Sequence, residues 1–312
     1  MSRHVPVLLE EVVQSLELKS GMNIVDCTLG DAGHSEAILE RTAPAGRLLG
    51  IDADPESLLR AKQYLYTYGQ RVLFVRDNFV RLKDIIAEQS FYPVHGILFD
   101  LGWSSPQFSE RGRGFSFELD EPLDMRYQTS DVRSRISENS EPTAADILNN
   151  QSRAELETIF RQYGEEPLYR EIAAAIVEVR RNQPIERTAE LVEIILSAYR
   201  KKLGSTREVP WIGGLNPSTR VFQALRIAVN RELDVLKSAL PQALDALTPG
   251  GRLAVISFHS LEDRIVKQFF QKFKDRTLKI ITDKPIAASP QEIKANPRAR
   301  SAKLRVAEKL SS

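Results

Sequence analysis

The residues best suited to chemistry in this chain lie in three short stretches. The first, Asn23-Ile-Val-Asp-Cys-Thr-Leu-Gly-Asp-Ala-Gly-His34, is an apolar run ending in a turn that carries Gly30 and Gly33. The second, Leu48-Leu-Gly-Ile-Asp52, is another apolar run, closed by an acid. Strand, glycine turn, helix and acid-tipped strand is the order of a nucleotide-type cofactor site at the end of a parallel sheet. Asp52 would accept hydrogen bonds from ribose hydroxyls. The third stretch, Phe99-Asp100-Leu-Gly-Trp-Ser-Ser-Pro-Gln107, delivers an acid, a glycine, an aromatic ring and several hydrogen-bonding groups from the end of a further strand.

The glycine turn bears on which cofactor is expected. A dinucleotide site wants G-x-G-x-x-G, because its pyrophosphate must approach backbone amides closely. This chain offers Gly30-Asp-Ala-Gly33, with an acid inside the loop and no third glycine at the expected place. Asp31 would repel a pyrophosphate. S-adenosylmethionine carries a sulfonium, an ammonium and a carboxylate but no phosphate, and it suits this loop better than NAD does. A Rossmann-like sheet without a cofactor is the bland alternative. Asp54-Pro55 reads as a helix cap, and Phe79, after a third strand, either touches an adenine ring or simply packs.

Around Asp100 the residue types fit transfer to an exocyclic amine. Such a nitrogen is a poor nucleophile because its lone pair is conjugated into the ring. Acceptors that hold its protons favour the tetrahedral nitrogen of the transition state, and the base must be extruded and stacked. Amino-methylating enzymes use an acid or amide followed by two prolines and an aromatic. Asp100-Leu-Gly-Trp103 resembles that order without the prolines, so Asp100 either accepts amino protons or mainly binds the methyl donor. Trp103 stacks on the base or belongs to the core.

These stretches need a scaffold. The chain has 312 residues, 42% hydrophobic and 27% charged, enough for one large domain or two modest ones. It shows no apolar run of membrane-spanning length and no secretory signal, and its single cysteine, Cys27, excludes a disulfide framework and a Cys-rich zinc site. A cytoplasmic protein is expected, with Cys27 a buried inert thiol. Strands are expected over 22–28, 47–52, 72–75 and 96–101, with helices over 35–41, 54–66 and 79–89 between them and a leading helix over 6–16. That alternation predicts βαβ units and a parallel sheet. Helices are then expected from Ser152 to Gly164, along the stripe Leu168, Ile172, Ala175, Ile176 and Val179, and from Thr188 to about Tyr199. The sheet pattern resumes with Asn216-Pro217 opening a long helix through Leu240, a strand over 252–258, and two strands, 278–282 and 303–307, able to close as a hairpin; 287–300 reads as a loop. The domains expected are therefore 1–108 with 214–312, interrupted by an all-helical insertion over 109–213.

Net charge is only +1, but residues 284–312 carry +5 against −4 for the rest. That segment, with Arg298 and Arg300, either attracts a phosphate backbone or is a solvated end. Arg111, Arg113 and Arg126 are interleaved with Phe115 and Phe117, a mixture suited to looped RNA. Their acidic neighbours Glu118, Asp120, Glu121 and Asp124 favour local salt bridges as strongly. Four histidines lack metal-ligand spacing, so no metal is expected. His34 opens a helix, where it orients cofactor or caps backbone. His259, after the fifth strand, faces the target nucleotide, acts as a general base, or hydrogen-bonds Glu262 or Asp263.

A family resemblance joins these motifs. Asp100–Gln107, Arg113-Gly-Phe-Ser-Phe117, Pro122-Leu-Asp-Met-Arg126, Tyr163-Gly-Glu-Glu166, Thr219–Ile227 with Val229-Asn230, Ile256-Ser-Phe-His-Ser-Leu-Glu-Asp-Arg264 and Asn296-Pro-Arg-Ala-Arg-Ser301 occur in the order seen in the bacterial RsmH (MraW) family. The chain resembles that family from His4 through Arg305. The resemblance implies a class I (Rossmann-like) methyltransferase sheet with an inserted helical domain. It also implies S-adenosylmethionine as cofactor and methylation of the N4 amine of a cytosine in the decoding region of 16S ribosomal RNA within the small subunit. Cofactor contacts would fall on Ala32, Gly33, His34, Asp52, Phe79, Asp100 and Gln107. The candidate substrate contacts, Trp103, Arg111, Arg113, Arg126, Arg298 and Arg300, come from residue type and charge rather than from the resemblance. Two positions depart from the family: Ala32 stands where the loop usually has glycine, and Trp103 where a small aliphatic residue is common. A DNA amino-methyltransferase and a non-enzymatic RNA-binding assembly factor are the rival readings. The sequence leaves oligomeric state open, a homodimer included.

Overall fold

The computed structural model describes residues 5–101, 112–127, 142–204, 209 and 216–311; Trp103, Gln107 and Arg111 lie outside the described residues. The chain forms two compact units, residues 1–104 with 233–312, and residues 105–232.

The first unit is built on a sheet. Its strands are β1 (Ile24–Asp26), β2 (Leu48–Asp52), β3 (Val72–Arg76), β4 (Val94–Asp100), β5 (Leu247–Ser257), β6 (Leu278–Ile280), β7 (Ile286–Ala287) and β8 (Lys303–Lys309). They lie in the order β3-β2-β1-β4-β5-β8-β6, with β7 also paired to β8. The first five strands run parallel, and β8 is antiparallel to β5, β6 and β7. From β1 the chain steps outward through β2 and β3, then returns to β4 on the other side. The order therefore reverses at β1, and the crevice beyond the carboxyl ends of β1 and β4 is where such sheets bind ligands.

Both faces of the sheet are covered, so its strands read as continuous apolar runs. Successive side chains of a strand point to opposite faces, and the cores follow that rule. Val25, Leu49, Ile97, Phe99, Leu253 and Val255 pack on one face with α4 (Leu82–Glu88), α10 (Glu232–Ala246) and α11 (Ser260–Phe273). Ile24, Leu48, Leu98, Ala254 and Ile256 pack on the other with α1 (Leu9–Ser15), α2 (Gly33–Arg41) and α3 (Pro55–Tyr64). Each such buried aliphatic side chain contributes roughly 1.5–3 kcal/mol over its exposed state.

The second unit holds α5 (Ala144–Asn150), α6 (Arg153–Gln162), α7 (Tyr169–Val179), α8 (Thr188–Leu203) and α9 (Thr219–Asn230) around its own core of Leu156, Phe160, Ile172, Ile176, Leu191, Ile195, Val221 and Leu225. Thr143 with Asp146 and Ser152 with Glu155 form reciprocal capping boxes that fix the starts of α5 and α6.

The structure differs from the sequence reading in several places. The long helix expected through Leu240 is two helices, because Arg231 adopts a left-handed conformation (φ 51°) and breaks the hydrogen-bond ladder. Val221 and Leu225 of α9 then belong to the helical core, whereas Leu236 and Leu240 of α10 pack under the sheet. The division accordingly falls after Glu232 rather than at residue 213. Segment 287–300 is not a loop. It holds α12 (Pro290–Ala295), capped by Ser289, and a 3-10 turn over Pro297–Ser301. Strands β6 and β8 do pair, but β7 and α12 lie between them, so they are sheet neighbours rather than a hairpin. Helix α11 lies where the sequence reading places no element; its start is a capping box made by His259 and Glu262. No helix among the described residues is long and apolar enough to cross a membrane.

Candidate functional site

The crevice at β1 and β4 is organised by three carboxylates. Asp26 ends β1 and is buried. Its carboxylate accepts the Ser35 hydroxyl from α2 at 2.7 Å and the backbone N–H of Thr28 at 3.1 Å. Burial pushes the Asp26 carboxyl above its ordinary value, while Ser35, the nearby His34 ring and Thr28 pull it back. The Thr28 hydroxyl in turn accepts the backbone N–H of Asp100 at 2.7 Å. This chain of bonds ties the end of β1 to the start of α2 and to the last residue of β4.

Asp52 ends β2. Its Oδ2 accepts the Gly30 N–H at 2.8 Å, and its Oδ1 accepts the Asp54 N–H at 2.8 Å. Each oxygen keeps lone-pair capacity for a further donor. Burial raises its carboxyl to about 6, against the lowering effect of the two N–H groups, and the charges of Asp54 and Asp26 add to the rise. A Cβ built on Gly30 would meet only the Thr28 carbonyl, at 3.8 Å, so the turn is open on that side. An acceptor pair beside an open turn of backbone amides suits the ribose of a nucleoside cofactor.

The third carboxylate, Asp100, ends β4. Its Oδ2 lies 3.6 Å from Nδ1 of His34, which occupies the first turn of α2 and is buried; Nε2 of the same ring lies 2.9 Å from the Val7 carbonyl. Gly33 admits the preceding segment, since a Cβ there would stand 2.9 Å from Cγ of Pro6. Phe79 follows β3 and meets Phe99 edge-on, centroids 5.3 Å apart. It packs on the core of the sheet and is only partly buried. Asp54 caps α3, accepting from the backbone of Glu56 and Ser57 and from the Ser57 hydroxyl.

Other expected site residues have local duties. Asp31 does not stand in the turn as a lone charge: Nε of Arg60 donates to it at 2.7 Å from α3. Repulsion between Asp31 and a phosphate is therefore a weaker ground for excluding a dinucleotide than the sequence suggested. His259 caps α11, its Nδ1 accepting the Glu262 N–H at 3.4 Å and its Nε2 lying 3.2 Å from the Glu262 carboxylate. That is the bland role among those open to it. In the helical unit, Arg126 grips Asp124 through two bonds of 2.6 and 3.0 Å, and Arg113 donates to the Arg126 carbonyl while lying over the Phe115 ring. The basic C-terminal segment is largely built into the sheet. Arg305 and Lys303 of β8 pair with Asp263, and Lys309 donates to backbone carbonyls. Arg300 is exposed and Arg298 is half-buried, its guanidinium pushed below its ordinary value by desolvation.

Sequence reasoning brought Gly33, His34, Asp52 and Asp100 to one crevice but passed over Asp26, Thr28 and Ser35. The order acid, threonine, glycine after an apolar run was the available signal. Its reading needed the knowledge that α2 returns Ser35 to the acid.

Comparison with known proteins bears on what this crevice does. The model of the MraW methylase family matches residues 1–310. The chain belongs to the MraW methylase family. A relative from Dehalococcoides mccartyi, named ribosomal RNA small subunit methyltransferase H, is 48% identical over 98% of this chain and 86% of its own. Relatives of the same name from Brevibacillus brevis and Thermomicrobium roseum are 45% and 44% identical, over 98% of this chain and 98% of the first relative, and 99% of this chain and 94% of the second. As a member of the MraW family the chain is an S-adenosylmethionine-dependent methylase on a Rossmann-like sheet. The departure at Ala32 gains a physical meaning here: its φ of 59° lies in the left-handed region that glycine occupies without cost. Its methyl is fully buried, which offsets part of that strain.

Proposed function

We propose that this chain transfers a methyl group from S-adenosylmethionine to the exocyclic N4 amine of a cytosine in the decoding region of 16S ribosomal RNA, acting on the small ribosomal subunit in the cytoplasm. The observation that carries the reading is the convergence of Asp52, the Gly30 turn and Asp100 on the switch point of the sheet. The name shared by the relatives supports the ribosomal substrate. The cytosine position and the residue roles rest on the motifs described above.

In this reading, Asp52 accepts from the ribose hydroxyls, and backbone amides from Gly30 to His34 with Ala32 and Gly33 line the cofactor. Phe79 borders the adenine. Gln107 completes the cofactor contacts and Trp103 the base contacts. Bound S-adenosylmethionine supplies a methyl carbon already activated by its sulfonium. Asp100 holds an amino proton of the cytosine, so that the nitrogen lone pair turns toward that carbon. The new C–N bond forms as the C–S bond breaks, and one amino proton then leaves to water. Catalysis comes mainly from positioning. Arg111, Arg113, Arg126, Arg298 and Arg300 contact RNA; Arg126 does so only by exchanging its Asp124 partner.

The test compares wild type with Asp100→Ala on assembled small subunits, on their deproteinised RNA and on duplex DNA. Calorimetry follows cofactor binding. Transfer to subunit or RNA that falls at least about a hundredfold in the variant, with RNA binding retained, is expected. Transfer to DNA alone, or none from wild type to any substrate, overturns the reading.

A further inference from the structure

The segment Val5–Leu8 borders the site, and the proposed mechanism does not use it. Pro6 packs against Gly33 of the cofactor turn. The Val7 carbonyl meets Nε2 of His34 at 2.9 Å. The Leu8 N–H donates to the Glu292 carboxylate of α12 at 2.7 Å, and Nδ2 of Asn296 donates to the Val5 carbonyl at 3.2 Å. Four residues are thus fastened on one side to the cofactor turn and on the other to the segment between β7 and β8. Through His34 they reach Asp100.

We propose that His34 is the positioning residue of the site: its imidazole braces the Asp100 carboxylate against the Val7 carbonyl, and the bracing depends on a proton held between Nδ1 and Asp100. This rests on the role given above to Asp100. A carbonyl oxygen can only accept, so Nε2 carries a hydrogen. In a neutral ring Nδ1 would then present its lone pair to a carboxylate 3.6 Å away, which is repulsive. A proton on Nδ1 turns that repulsion into an ion pair. The surroundings favour it. Among the described residues, the charged side chains bearing on the ring are acids, Asp100 from β4 and Asp26 from β1. The segment Val5–Leu8 brings no charged side chain. On α1, Glu10 pairs with Arg41 at the far end of α2, and Glu292 of α12 is engaged by the Leu8 N–H.

His34 is buried at the start of a helix, where a hydrophobic side chain would pack as well. A bridging imidazole has two separable arms, and amide side chains imitate them one at a time. His34→Gln places its amide near Nε2, keeping the Val7 bond and losing the arm to Asp100. His34→Asn places its amide near Nδ1, keeping a donor on Asp100 and losing Val7. A purely structural residue predicts the opposite ranking for activity, because only the Val7 arm ties the fold together.

The experiment measures kcat, KM for S-adenosylmethionine and melting temperature of both variants on the small subunit. His34→Gln is expected to melt like wild type and keep its KM while kcat falls about tenfold or more. His34→Asn is expected to lose less kcat than His34→Gln and to melt lower than wild type. Equal losses of kcat in both variants overturn the proposal. Nitrogen-15 spectra of the histidine-labelled chain test it without turnover. The Nδ1 proton of His34 should vanish in Asp100→Asn, whose amide can donate instead, while the Nε2 proton stays. Its absence from the wild-type spectrum overturns the inference even if methyl transfer is normal. Failure of wild type to methylate any substrate, with the Nδ1 proton present, would overturn the assigned reaction and leave the brace standing.

Discussion

At the scale of single residues, the site is a set of acids whose charges are managed by backbone. Asp52 receives two N–H groups and still titrates high, because burial outweighs them. In the proposed reading its ionised form accepts from the ribose hydroxyls; the protonated form is present below about 6. Affinity for S-adenosylmethionine should therefore be full above that pH and weaken as pH falls through it, by up to about tenfold per pH unit for a single linked proton. Calorimetric Kd values across the range check this, and Asp52→Asn should weaken binding and flatten the dependence. A wild-type Kd that stays constant down to about pH 5 would remove Asp52 from the cofactor site.

At the scale of elements, the cofactor turn is held by packing that glycine makes room for. Gly50 lies inside β2, where a Cβ would stand 2.8 Å from Cδ1 of Leu29. Leu29 is buried directly before Gly30, whose N–H reaches Asp52. Gly50→Ala should therefore push Leu29 aside. The expected loss is about 1–3 kcal/mol of stability, as for other overpacked cores, together with weaker cofactor binding. Adding Leu29→Ala should recover part of the binding loss. A denaturant-unfolding cycle with calorimetry on the four chains measures the coupling, and additive effects would show that the turn is not set by this contact. The same glycine was visible in the sequence only as a member of an apolar run. Its neighbour across the turn is brought there by the pairing of β1 with β2. Likewise Asp54 and Ser152 were legible as caps because a cap is local. The break at Arg231 was not, since an arginine in the left-handed region leaves no mark on hydrophobic periodicity.

At the scale of the whole molecule, the chain has separate cores for its sheet and for its helices. Phe160 is fully buried in the helical core. Phe160→Ala should cost that unit about 3–5 kcal/mol and change the Kd for S-adenosylmethionine little, because all the proposed cofactor residues except Gln107 lie in the other unit. Chemical denaturation followed by helical circular dichroism, with binding measured at each step, checks this. A parallel loss of binding would show that the two units unfold together.

The sequence by itself determined the parallel sheet, the acid-tipped strands and the family, since each depends on the order of residue types along a few turns of chain. Only the tertiary structure decided which acids share a crevice, that the strand of the basic C-terminal segment pairs with β5, and that His34 spans Val7 and Asp100. Those facts depend on contacts between residues far apart in the chain, and such contacts are fixed by strand order and packing rather than by local pattern.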